Sequence, residues 1–96
     1  MGTSKEAYQE KLEAQLREWT AKIAELKAKA DKAKAEVKIE YLEQIEKLRV
    51  QQAAADAKLQ ELQQSSEQAW EELKPGLERA WKEMKTAIDH ARSKFT

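Results

Sequence analysis

The chain has 96 residues, 18 Lys and Arg against 18 Asp and Glu, and no cysteine. A balanced charge argues against a nucleic-acid partner, because phosphates are held by a basic surplus. Without cysteine there is no disulfide, no thiolate nucleophile and no zinc–thiolate site.

No apolar run approaches the ~20 residues that span a bilayer, and no signal-peptide core is visible. Position six is Glu6, where a myristoylation signal prefers Ser or Thr. The expectation is one cytoplasmic domain over residues 1–96. Ala, Glu, Lys, Leu and Arg make up roughly 60% of the chain, above the ~50% that marks long helices. Mean hydropathy is −0.92, but the charges cancel and the apolar residues fall in phase. Ordered helix is therefore expected over disorder.

Between Thr3 and Lys74 there is no glycine or proline. Ser4 reads as an N-cap, with Glu6 in the first turn. An apolar stripe then runs Tyr8, Leu12, Leu16, Trp19, Ile23, Leu26, Ala30, Ala33, Val37, Tyr41, Ile45, Leu48. It continues more weakly through Gln52, Ala55, Leu59 and Leu62. Steps of three and four between Leu16 and Val37 are a heptad seam. From Tyr8 to Trp19 and from Val37 to Leu48 the steps are four, four, three, an eleven-residue insertion that unwinds a left-handed supercoil. Glu13–Arg17, Glu18–Lys22, Glu25–Lys29 and Glu43–Lys47 are helix-supporting pairs four apart. The spacing predicts one helix over residues 4–64, roughly 90 Å long at 1.5 Å per residue. Within it, residues 28–35 read as a narrow alanine seam where partner helices approach closely. The rival reading is an anion-binding lysine patch around Lys22, Lys27, Lys29, Lys32, Lys34 and Lys38, diluted by Glu25, Asp31 and Glu36.

The first break falls at residues 63–66, where Ser65 and Gln68 fit a capping box. A second helix is expected over residues 66–94, kinked near Pro75 or interrupted there with Pro75 opening the final helix. Residues 70–80 align with residues 81–91 as a tandem eleven-residue unit. Trp70/Trp81, Glu72/Glu83, Lys74/Lys85 and Ala80/Ala91 are identical, and Leu73/Met84 and Leu77/Ile88 are similar. Eleven residues make close to three turns, so the unit keeps one face. That face holds Trp70, Leu73, Leu77, Trp81, Met84, Ile88 and Phe95.

The segment Ala69 to Lys85 (Ala-Trp-Glu-Glu-Leu-Lys-Pro-Gly-Leu-Glu-Arg-Ala-Trp-Lys-Glu-Met-Lys), behind a long Lys/Glu/Ala-rich helix, resembles small bacterial coiled-coil proteins of unknown activity. Some cyanobacterial members are named as stress-induced. The resemblance covers most of the chain, and its motif is low-complexity helix. It implies a stress association and brings no active-site residue. The family pattern often carries a glycine before Ala-Trp and usually no proline at position 75, so this chain departs from it at both places. More loosely, the eleven-residue units are similar to those of apolipoproteins and late-embryogenesis-abundant proteins, which coat lipid or dry surfaces.

No catalytic, cofactor or metal site is expected. His90 is the lone histidine and lacks a second ligand at helical spacing. Glu71–Glu72 and Glu36/Glu40/Glu43 sit on a solvated helix, with nothing to raise a pKa for acid–base work. There is no Gly-rich phosphate loop and no Glu-x-x-His di-iron pattern. Trp19, Trp70 and Trp81 read as core anchors, each burying up to ~250 Å²; the alternative is insertion at a lipid interface.

The expected fold is all-α: a long coiled-coil helix with a shorter C-terminal helix folded back on its second half as a hairpin. The Trp70/Trp81 face would cover Tyr41, Ile45, Leu48, Leu59 and Leu62. Tyr8, Leu12, Leu16, Trp19, Ile23 and Leu26 would be left to a second chain, giving a homo-oligomer, with a dimer favoured. The expected function is a non-enzymatic structural or stress-associated interaction protein, with no nucleic-acid or small-molecule partner. The alternative is peripheral membrane or lipid-surface binding through residues 66–94.

Overall fold

The computed structural model describes residues 4–95 and is all-α. Helix α1 spans Ser4–Lys32, α2 spans Ala35–Gln64 and α3 spans Lys74–Lys94; a 3-10 turn, Trp70–Leu73, leads into α3. The helices run up, down and up in a rod of 52 × 22 × 19 Å. As expected, α3 folds back on α2: Tyr41 stacks on Phe95 with ring centroids 3.8 Å apart, and its hydroxyl donates to the Phe95 carbonyl at 3.3 Å.

The continuous helix over residues 4–64 is not what forms. The chain reverses at Ala33–Lys34, where Lys34 is extended (φ −65°, ψ 154°), and α1 lies antiparallel to α2. The Gln52 amide donates to the Thr20 hydroxyl across the pair, and Gln63 Nε2 donates to Glu13 Oε1 at 3.2 Å. Nothing local commands this turn: there is no glycine, no proline and no side-chain cap on Lys34. Its cause is tertiary. Leu12, Leu16, Trp19, Ile23, Leu26 and Ala30 are buried inside their own chain, and a fully buried large apolar side chain contributes ~1.5–3 kcal/mol. Breaking a helix forfeits only a few backbone hydrogen bonds, each about 0.5–1.5 kcal/mol net. The N-terminal stripe therefore has an intrachain partner where a second chain was expected. The alanine stretch is where the chain turns, with Ala30 fully buried.

The second connection does follow local signals. α2 ends at Gln64, and the Ser65 N–H and hydroxyl both donate to the Leu62 carbonyl, at 3.1 and 2.6 Å. The capping serine is Ser66, one position later than expected, its hydroxyl accepting from the Ala69 N–H at 3.1 Å. Residues 66–73 are turn and 3-10 structure, not helix. Pro75 sits in the first turn of α3, where its missing N–H costs no helical bond. Lys74 nonetheless takes helical geometry (φ −51°, ψ −49°).

α1 and α3 run parallel on one side of α2, and their contact repeats every eleven residues. Tyr8 meets Trp70 (centroids 5.6 Å) and Trp19 meets Trp81 (5.9 Å). Because Tyr8 to Trp19 and Trp70 to Trp81 are both eleven-residue steps, the tandem unit in α3 is matched in register by α1. Straight eleven-residue stripes keep such pairs in phase without supercoiling.

Candidate functional site

Most of the expected packing face is core. All of its members are buried except Tyr8, Leu73 and Phe95, which are half-buried against the cluster, and Val37. Val37 is 43% exposed. It lies in the first turn of α2, beside the reversal, where the bundle end leaves it uncovered. Ala55 and Ala91, both buried, complete the interior.

At the end holding residues 65–74, two lysines tie the helices together. Lys5 Nζ donates to the carbonyls of Gln63 and Ser65. α2 carries no basic residue in its last turn, so α1 supplies the cation that its C-terminal carbonyls favour. The Lys74 ammonium lies 4.6 Å from the Trp70 ring centroid and 5.5 Å from that of Tyr8, within cation–π range. Burial, and secondarily the Glu78 carboxylate, push the Tyr8 phenol above its ordinary pKa of 10.0. These contacts tie α1, the 3-10 turn and α3 to the end of α2.

Among the described residues, no group of three His, Cys, Asp or Glu side chains is placed to hold a metal ion. His90 is exposed, in a shallow depression with Gln51, Arg79, Lys82, Glu83 and Thr86. Glu36, Glu40, Glu43, Glu71 and Glu72 are likewise exposed. No described helix is long and apolar enough to cross a membrane.

The feature that sequence reading missed is the outward side of α2. Among the described residues, every large apolar side chain that stays exposed is on this helix: Val37, Ile39 (59% exposed), Leu42 (43%) and Val50 (61%). Ile39, Leu42 and Val50 point away from the core, with Glu43, Glu46 and Lys47 between them. At 100° per residue, Ile39, Leu42, Glu46, Val50, Ala53 and Ala57 form a second stripe opposite the first. Its signal was present in steps of three and four, but the stronger stripe through Tyr41, Ile45 and Leu48 masked it.

No family model, curated protein or solved structure matches this chain. The surface itself therefore carries the functional argument.

Proposed function

We propose that the protein is a non-enzymatic, structural or stress-associated interaction protein that works through its helical surface in the cytoplasm. One observation carries this reading: α2 is apolar on both sides, and only one side is used by the fold. Monomers bury or disperse exposed apolar side chains, and a stripe of them marks a contact surface. The resemblance to stress-induced coiled-coil proteins supports the stress association.

Trp19, Trp70 and Trp81 are 6%, 4% and 5% exposed. A lipid-surface role through residues 66–94 would have to extract Trp70 and Trp81 from the core, which favours the interaction reading. Tryptophan emission, recorded with and without vesicles rich in phosphatidylglycerol, separates the two. An unchanged emission maximum is expected. A shifted emission maximum with loss of the α2–α3 contact would replace this reading with membrane binding.

A further inference from the structure

We propose that the outward face of α2 is the contact between two copies of this chain, packed antiparallel about a two-fold axis. The proposal deepens the interaction reading by naming the partner and the surface.

The face fits itself. A two-fold contact is isologous, so each pair of opposed residues occurs twice. When two α2 helices lie antiparallel with opposed positions summing to about 95, Leu42 and Ile39 meet small residues, and Val50 comes beside Glu46 of the second copy. Leu42 falls against Ala53 of the second copy, and Ile39 against its Ala57. In the same register Glu46 faces Arg49 and Lys38 faces Asp56, all on exposed or half-buried positions of α2. A parallel pairing in register would instead set Glu46 beside Glu46 and Ile39 beside Ile39, stacking like charge and bulk.

The charge of the whole bundle favours the same orientation. The Thr20–Gln52 hydrogen bond and the Trp19–Trp81 contact put residues 19–20, 52 and 81 at one level of the rod. On the side of the Ala33–Lys34 turn, residues 20–53 and 81–95 carry twelve Lys and Arg against eight Asp and Glu. On the other side, residues 4–19 and 54–80 carry six against ten. A neutral chain is thus a rod with one positive and one negative half. Antiparallel contact lays each half beside its opposite, and complementary potentials steer and orient association.

The apolar area is small, so the dimer is weak and reversible. Its electrostatic part is screened within ~8 Å at physiological salt, so association weakens several-fold as salt is raised.

The test is sedimentation equilibrium of the full chain over a wide concentration range, at low and high salt, beside Leu42→Glu and Ile39→Glu. Both positions are exposed, so helicity by circular dichroism should be unchanged while the dimer is lost. Orientation is read from cross-linking, since the chain has no cysteine of its own. Leu42→Cys mixed with Ala53→Cys under oxidation should give mainly the mixed disulfide. Three results would overturn the proposal: a parent monomeric at every concentration, a dimer that survives both glutamates, or Leu42→Cys cross-linking mainly to itself. A monomeric parent leaves the interaction reading standing with a different partner. That reading falls only on the vesicle result.

Discussion

The two interhelical connections of this bundle are built on different principles. Residues 65–75 carry their own instructions: Ser65 closes α2, Ser66 caps the next turn, and Pro75 is set where a helix starts. The reversal at Ala33–Lys34 has none of these, and Lys34 stands at a cap position without a capping side chain. A turn can thus be imposed on strongly helical sequence by what the flanking stripes bury. Local propensity alone leaves a hairpin and a continuous rod indistinguishable.

The largest test of that contrast removes the burial. Trp19→Ala should cost about 3–5 kcal/mol, as large core truncations do. It should also loosen the Ala33–Lys34 reversal, read as faster amide exchange in α1 than in α2 and α3. Equal loss across all three helices would mean that the reversal has a local cause.

The caps should respond with opposite signs. Ser66→Ala should destabilise by about 0.5–2 kcal/mol in urea unfolding, whereas Lys34→Ser, which adds the missing cap, should stabilise by up to about 1 kcal/mol. If Lys34→Ser weakened the fold, the turn would be using the lysine itself. Gly76 sharpens the comparison on the other side. A Cβ there meets nothing within 4 Å, so Gly76→Ala should raise stability by about 0.4–1 kcal/mol.

The smallest expected effect concerns pH. The Tyr8 phenol is raised above 10.0 in the folded state. Its contribution is therefore present in full below pH 10 and is lost as pH rises through the higher folded value. Tyr8→Phe should flatten the fall in thermal stability between about pH 9 and 11. An unchanged slope would assign that fall to lysine deprotonation.

The all-α class, the fold-back of the C-terminal helix, the break near Ser65 and nearly the whole interior were legible from the period of the apolar residues. Two features were not. The stripe from Tyr8 to Leu62 crosses Ala30 and Ala33 without losing phase. Its residues therefore suit either one straight helix or two helices packed on each other, and no glycine or proline chooses between them. The outward stripe of Ile39, Leu42 and Val50 was hidden because Glu46 interrupts it and a better stripe shares the helix. Its exposure became visible only once α1 and α3 had covered the other side.

The most direct test of the Ala33–Lys34 reversal is a distance between spin labels at Glu10→Cys and Glu61→Cys, measured with labelled chains diluted in unlabelled ones. Both sites are exposed, and the Glu13–Gln63 hydrogen bond puts their helices side by side. Packed helices lie about 8–10 Å apart axis to axis, so the account predicts a distance of roughly 10–20 Å. A continuous helix would separate the labels by about 75 Å at 1.5 Å per residue, and that result would contradict the reversal at Ala33–Lys34.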